Sequence, residues 1–256
     1  MLAWVLETEA VPRGIGALVG RYGARAADLA PLIVRRRREL PGADQRRSDL
    51  IGALIRIGPA AAATTDDLLA EPLDRGAIRA LGGFGPAARR AEQRLTESVG
   101  TGHRIEAAFA ATAIWRVCGD DSAARHVLDR YGDDQYGKRD MTSLIAAVGA
   151  PLADFAPYLR DLLRDEDFWV RMDAARALWS AAGDAEDTLP VLAYGWRESA
   201  DTRRATAEVL ARMGPSAAPA RPLLLAELRE RRRCLTPVRD DEELLSLCRT
   251  ALEASG

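Results

Sequence analysis

Residues 167–178 read DFWVRMDAARAL, and the next five residues, WSAAG, close the stretch at Gly183. Leu178, Trp179 and Ala182 precede this glycine by five, four and one positions. These offsets lie on one stripe of an α-helix, because positions three or four apart share a face. A glycine directly after such a stripe is typical of a helix C-terminus, where the backbone turns left-handed. The stretch therefore predicts an amphipathic helix that ends at Gly183.

The same pattern recurs along the chain. Glycines that follow an apolar helical stretch stand 27 to 35 residues apart, at Gly23, Gly58, Gly85, Gly119, Gly149, Gly183 and Gly214. At one, four and five positions before these glycines, all 21 residues are apolar, although the chain as a whole is 48% hydrophobic. A further predicted helix precedes each of these helices, so the repeating unit is a helical hairpin. The sequence therefore predicts an all-α repeat protein of about seven hairpins.

Prolines occupy a recurring place in the first helix of several hairpins. Pro31, Pro157 and Pro222 each follow the preceding glycine by eight residues, and Pro190 follows Gly183 by seven. A proline inside a helix removes one backbone hydrogen bond and crowds the preceding turn. We therefore expect these first helices to share a bend.

Residues 167–178 resemble the second helix of a HEAT repeat, and residues 201–215 resemble it more loosely. The resemblance covers roughly residues 13–232 and is best over 150–232. It implies a right-handed superhelix of α-helical hairpins, an α-solenoid, whose second helices line a concave face. We predict one array over 1–256, with an irregular N-terminal hairpin at 1–23 and a C-terminal capping hairpin at 215–256. The resemblance implies no single function.

Composition limits the classes of function. The chain has 256 residues, 29% of them charged, with a net charge of −2 and a pI of about 5.9. This balance is typical of a folded protein and gives no overall basic bias toward nucleic acid or anionic membranes. Lys138 is the only lysine, which we interpret as codon bias in a GC-rich, bacterial genome.

The sequence favours a cytoplasmic protein. Cys118, Cys234 and Cys248 have no CxxC spacing, which is typical of reduced thiols. The N-terminus reaches Glu7 without the basic and apolar regions of a signal peptide. No apolar run has the roughly 18 residues needed to span a bilayer, so we expect no membrane contact.

Residues that could carry catalysis or hold a metal are sparse. The only histidines, His103 and His126, lie outside any HExxH motif, and the cysteines are scattered. No GxSxG motif occurs, and the glycine-rich residues 82–85 end a helix instead of opening one, unlike a phosphate loop. We predict no metal, no cofactor, no small-molecule substrate and no enzymatic activity.

Arginines recur near the starts of the second helices. They are Arg46, Arg47, Arg104, Arg139, Arg171, Arg203 and Arg204. Stacked hairpins would place them along one edge, about 10 Å apart from one hairpin to the next. Such a ladder could bind phosphates or an acidic protein strip. Alternatively, the arginines pair with nearby carboxylates and brace neighbouring hairpins, the candidates being Asp44, Asp49, Asp140, Asp167 and Asp201.

The aromatic residues divide into two groups. Trp115 and Trp179 fall in the apolar stripe and are predicted to be core. Four others fall outside it, near turns between helices: Phe168, Trp169, Tyr194 and Trp196. Exposed aromatic residues at a helix start are candidate hot spots for a partner. The alternative is that Phe168 and Trp169 pack locally and fix the start of their helix.

Trp169 and Asp173 lie one helical turn apart, a spacing that resembles a family of HEAT-like DNA glycosylases for alkylated bases. That family adds an arginine one repeat further on and a second tryptophan two repeats further on. Arg203, Arg204 or Arg212 is available as the arginine, whereas no tryptophan follows Trp196.

Together these patterns favour a non-enzymatic, cytoplasmic scaffold that binds a protein or peptide on its concave helical face. The candidate partner-binding residues are Trp169, Arg171, Arg203, Arg204 and Trp196. The alternative function is a nucleic-acid-binding solenoid, in its sharpest form an alkylated-base DNA glycosylase.

Overall fold

The computed structural model describes residues 2–7, 11–42, 44–132, 134, 136–230 and 238–256, and the side chains of these residues except 238–240. Its α-helices are α1 (Leu2–Glu7), α2 (Ile15–Gly20), α3 (Ala30–Glu39), α4 (Gln45–Ile57), α5 (Thr65–Leu69), α6 (Arg75–Phe84), α7 (Glu92–Thr101), α8 (Arg104–Cys118), α9 (Ser122–Tyr131), α10 (Lys138–Val148), α11 (Ala156–Leu162), α12 (Phe168–Ala182), α13 (Ala185–Glu198), α14 (Ala200–Met213), α15 (Arg221–Arg229) and α16 (Val238–Ala254). No strand occurs in the described residues, and the predicted all-α class is confirmed. Cys234 lies outside these residues.

The seven glycines singled out in the sequence, called here the repeat glycines, all have a positive φ, between 51° and 77°. Two backbone forms occur among them. Gly119 and Gly183 are left-handed, with ψ of 17° and 22°, and each ends an α-helix. Gly58 and Gly85 have ψ of −141° and −145°, and a 3₁₀ segment begins there with a proline in its first turn. A residue with a Cβ would be strained in either form.

The recurring prolines mark the change from 3₁₀ to α-helix. The 3₁₀ segments are Gly23–Leu29, Gly58–Thr64, Gly85–Ala91, Ala150–Phe155 and Gly214–Ala220. Pro31, Pro157 and Pro222 lie in the first turn of the α-helix that follows such a segment, whereas Pro190 lies inside α13. The prediction that the first three lie in a helix interior is therefore wrong. The first turn accepts proline, because its N–H groups have no acceptor within the helix.

The predicted apolar stripe is the core at most positions. Leu54, Leu81 and Leu178, for example, are fully buried. The exposed exceptions are Leu18, Tyr22 and Ala182, and the half-buried ones are Trp115, Cys118 and Trp179. Leu18 belongs to α2, which spans only six residues, and Tyr22 lies two residues beyond its end. So short a helix has few neighbours that could cover all of its apolar side chains.

Contacts between Cα atoms divide the chain into two compact units, Met1–Asp133 and Asp134–Gly256. In the first unit α2, α4, α6 and α8 each pack against the next, α3 packs on α4, and α7 and α9 pack on α8. The Asp49 carboxylate on α4 accepts hydrogen bonds from the backbone N–H groups of Gly16 and Ala17, both at 3.0 Å. These bonds fix the start of α2 against α4.

A buried arginine organises the other side of α4. Arg37 is only 2% exposed and forms ion pairs with Asp74 and, at 3.3 Å, with Glu71. Arg47 donates hydrogen bonds to the backbone carbonyl oxygens of Arg37 and Leu40, at 2.9 and 3.0 Å. Residues 35–38 are four consecutive arginines, and at least one of them therefore stabilises the fold instead of facing a partner. The sequence also has three consecutive arginines at 231–233, and these lie outside the described residues.

In the second unit α12 packs on α10, α11 and α13, while α14 packs on α13 and α16, and α15 packs on α16. Its main core cluster joins side chains of α12, α13, α14 and α16, among them Met172, Leu192, Leu210 and Cys248. The two helices of the predicted capping hairpin, α15 and α16, thus contact each other. The arrangement of the whole of 1–256 as a single superhelical array stays a prediction.

Candidate binding surface

Three aromatic side chains cluster in the second unit. The Asp167 carboxylate accepts hydrogen bonds from the backbone N–H groups of Trp169 (2.7 Å) and Val170 (3.4 Å), which fixes the start of α12. The Phe168 ring packs edge-on against Trp169, with centroids 5.1 Å apart, and against Tyr194, at 6.3 Å. Trp169 is 40% exposed and Tyr194 is 44% exposed. These three residues form the aromatic patch, a surface that packing has already ordered.

Two arginines border the aromatic patch. The Arg171 guanidinium lies over the rings of Phe168 and Tyr194, 5.8 and 5.9 Å from their centroids. It also donates hydrogen bonds to the carbonyl oxygens of residues 165 and 166, at 2.7 and 3.0 Å. Arg139 lies over the Trp169 ring at 6.0 Å. The structure therefore brings the predicted Trp169 and Arg171 together, and it adds Arg139.

Trp196 does not belong to this surface. The side chain is only 4% exposed and lies in the core cluster with Met172 and Leu210. The prediction that Trp196 lies outside the core is therefore wrong. Thr188, Leu192 and Trp196 are spaced by four residues on α13 and share its buried face. The apolar pattern recognised in the sequence is that of the second helices. Because α13 is a first helix, its own apolar face was not part of that pattern.

Arg203 and Arg204 lie side by side on α14 and contact different helices. Arg203 donates to the carbonyl oxygen of Trp196 at 3.2 Å and to the Glu227 carboxylate on α15 at 3.1 Å. Arg204 donates to the Glu243 carboxylate on α16 at 3.3 Å, and both members of that pair are about half exposed. Both arginines therefore brace α14 against its neighbours in the second unit.

The other predicted ladder arginines also have partners within the protein. Arg46 pairs with Asp44, and its hydrogen bond lowers the pKa of that carboxyl group to about 2. Arg139 instead reaches Asp173, 34 residues along the chain, at 2.8 Å. Of the carboxylates proposed from the sequence, Asp49 and Asp167 accept backbone N–H groups. These contacts support the interpretation that the arginines brace neighbouring hairpins. Among the described residues, most ion pairs join side chains of consecutive hairpins and not side chains that are close in the sequence.

A groove of about 220 Å³ opens between α10 and α12. Its wall combines the small side chains of Ala146 and Ala147, the hydroxyls of Ser143 and Ser180, and the guanidinium groups of Arg176 and Arg212. We call it the α10–α12 groove. Asp173 also lines it, and because Asp173 pairs with Arg139, the groove is linked to the aromatic patch.

The charges in the α10–α12 groove do not balance. Arg176 reaches Asp173 only at 3.5 Å, and its Nε atom is buried without a hydrogen-bond partner among the described residues. The same Asp173 carboxylate already pairs with Arg139 at 2.8 Å. Arg212 forms no ion pair with any residue of the described part of the chain. The groove therefore has a surplus of positive charge, and it has N–H donors to which no described residue offers an acceptor.

Sequence reasoning missed Arg176 and did not place Arg212 in this groove, because it concentrated on the starts of the second helices. The two arginines stand seven and two positions before their repeat glycines. A signal was nevertheless present two and three positions before Gly149 and Gly183, where α10 and α12 carry only alanine and serine. Small residues on adjacent helices leave a groove, and an arginine beside them marks it.

The titratable side chains show no activated nucleophile in the part of the chain that the structure describes. Burial raises the pKa of the Cys248 thiol to about 12, and it also raises the pKa of Cys118. Both thiols are therefore protonated at neutral pH. A hydrogen bond from Lys138 lowers the pKa of Asp165, which keeps that carboxylate in an ion pair.

The described residues contain no group of three or more histidine, cysteine or acidic side chains placed to hold a metal ion. Within the same residues, no helix combines the length and the apolar character that crossing a bilayer requires. Comparison of the chain with protein-family models, with curated proteins and with solved structures gives no match.

Proposed function

We propose that the protein is a non-enzymatic interaction scaffold of the cytoplasm, built as a right-handed HEAT-like solenoid, that binds a protein partner on its second unit. The binding surface is the aromatic patch together with the α10–α12 groove. The observation that carries the proposal is their continuity, since Arg139 covers the Trp169 ring and pairs with Asp173 in the groove. The free thiols Cys118 and Cys248 support a reducing compartment.

Two physical features favour this surface for a protein partner. Tryptophan, tyrosine and arginine are the residues that most often carry binding energy in interfaces. Here Trp169 packs against Phe168, and Arg171 is held by the carbonyl oxygens of Asp165 and Glu166, so binding costs little side-chain entropy. Arg203 and Arg204 stay outside this surface, because their guanidinium groups already brace α14.

The experiment is affinity capture from a native lysate, followed by crosslinking and mass spectrometry, with the wild type and two variants. Trp169→Ala removes an exposed ring of the aromatic patch, and we expect it to reduce capture of the partner by about tenfold or more. Tyr136→Ala is the matched control, because Tyr136 is an aromatic side chain of the same unit and is 80% exposed. Crosslinked peptides from α12 and α13 would locate the partner on the proposed surface.

The proposal fails if Trp169→Ala retains the partner as the wild type does, or if crosslinks fall only on the first unit. Equal loss of partner in Tyr136→Ala would also contradict it, because the aromatic patch would then have no special role. Melting curves of both variants check that the loss comes from binding and not from unfolding.

The second candidate is nucleic-acid binding, and the excess of arginine over carboxylate in the α10–α12 groove favours it. In its sharpest form, the alkylated-base glycosylase, Trp169 and Asp173 would act together. The Asp173 carboxylate, however, is engaged by Arg139 and Arg176. DNA binding whose affinity falls steeply with salt, and which survives in Trp169→Ala, would favour this candidate over a protein partner.

A further inference from the structure

The α10–α12 groove continues into a second half of different chemistry. Toward the ends of α10 and α12 the wall is formed by Ala147, Ala150, Trp179 and Ala182, while Arg212 borders both halves. Trp179 is half-buried and packs partly against the core, which leaves the rest of its ring toward this opening. The groove therefore has a charged half around Arg176 and an apolar half around Trp179, with Arg212 between them.

In the charged half, the two guanidinium groups carry more N–H donors than the described residues supply with acceptors. A guanidinium group carries five N–H donors, yet the ion pair of Arg176 is a single contact of 3.5 Å with Asp173. Arg212 has no ion pair, and neither Ser143 nor Ser180 donates a side-chain hydrogen bond, within the described residues. A carboxylate fits this set, because arginine binds it through two parallel N–H donors and a hydroxyl can donate a third bond.

We infer that the α10–α12 groove binds an acidic segment of the protein partner, in which a glutamate or aspartate side chain stands close to an apolar one. The carboxylate pairs with Arg176 and Arg212, and the apolar side chain packs on Trp179 and Ala147. This inference rests on the proposed function and names the chemistry of the partner at the same surface. The apolar half favours a peptide over nucleic acid, since a phosphate backbone would meet a wall without donors there.

The test measures fluorescence anisotropy with a labelled hexapeptide of two leucines flanked on each side by two glutamates. Two control peptides replace either the glutamates by glutamine or the leucines by serine. We expect the acidic peptide to bind the wild type at least about fivefold more tightly than either control. We expect Arg212→Gln to weaken its binding by about fivefold, and Arg176→Gln with Arg212→Gln by more than about tenfold.

Arg197→Gln is the matched control, because Arg197 is an exposed arginine on α13 that does not line the groove. It should bind the peptide as the wild type does. The melting temperature of Arg212→Gln should equal that of the wild type, because this guanidinium pairs with no described carboxylate. A loss of affinity in Arg212→Gln alone therefore reports on binding even if the double variant is less stable.

Three outcomes would overturn the inference. The acidic peptide does not bind, or binds Arg212→Gln and the double variant as tightly as the wild type. A labelled oligothymidine binds instead of the peptide and is lost in the double variant, which would favour the nucleic-acid candidate. A captured protein partner depends on Trp169 but binds the double variant fully, in which case the proposed function stands and the acidic segment does not.

Discussion

Leu18 in the first unit and Leu178 in the second both stand five residues before a repeat glycine, yet their surroundings differ. Leu18 is 42% exposed, whereas Leu178 is fully buried. For the arginines the burial is reversed. Arg37 of the first unit is buried among carboxylates, whereas Arg212 of the second unit lies open in a groove. The position of a residue in the repeat therefore predicts whether its side chain can be buried. Whether it is buried depends on the neighbouring helices.

The same contrast distinguishes arginines that stabilise the fold from arginines that are available to a partner. Arg37 of the first unit has two acidic partners within the protein, and their carboxylates accept from both terminal nitrogens of its guanidinium. Arg176 and Arg212 of the second unit together face one carboxylate, which is shared with Arg139. An arginine whose charge is not neutralised by a carboxylate of the protein is the better candidate for a partner, however prominent another arginine is in the sequence.

The largest effect is expected from Leu178→Asp. This change places a carboxylate in a fully buried site that offers no water, and we expect a loss of at least about 3 kcal/mol in the free energy of unfolding. Leu18→Asp, at the equivalent repeat position, should cost less than about 1 kcal/mol because Leu18 already contacts solvent. Urea unfolding followed by circular dichroism measures both. Similar losses for the two variants would mean that the observed difference in burial does not exist in solution.

A smaller effect is expected from Arg37→Met. Methionine keeps an apolar stem but removes the charge, so Asp74 and Glu71 lose their buried partner. We expect a loss of about 2 kcal/mol, less than for a fully buried pair, because both carboxylates are partly exposed and also face Arg47. Arg35→Met, a substitution of an exposed arginine two residues earlier, should change the stability by less than about 0.5 kcal/mol. If chemical denaturation gives the two variants equal stability, Arg37 is not an organising residue of the first unit.

The helical class and the places where helices end could be predicted from the sequence, because apolar spacing and glycine position are local properties. The repeat glycines have the positive φ that their position predicts. The surroundings of Trp196 and Arg203 could not be predicted in this way. Their contacts are made with other helices, which for Trp196 include α12 and α14 and for Arg203 include α15, and no local pattern states which helices meet. The same limit applies to the α10–α12 groove, because the small residues that line it belong to two different helices and the sequence does not state that they meet.

The last comparison concerns two neighbouring residues of the second unit, Arg203 and Arg204. Arg203 is 23% exposed and pairs with Glu227, which is only 9% exposed, whereas Arg204 and Glu243 are both about half exposed. Arg203→Ala removes a donor from a buried carboxylate and should cost about 1–2 kcal/mol of unfolding free energy. Arg204→Ala breaks an exposed pair and should cost less than about 0.5 kcal/mol of unfolding free energy. Salt should reduce this cost further, because it screens exposed charges.

Thermal melting at low and high salt tests this pair of variants, with capture of the partner as the second measurement. Because both arginines brace α14 and lie outside the proposed surface, we expect both variants to bind the partner as the wild type does once folded. A loss of partner binding in Arg204→Ala without a change in melting temperature would return Arg204 to the binding surface. An equal stability loss in the two variants would mean that burial of Glu227 does not set the strength of its ion pair, contrary to the argument from exposure.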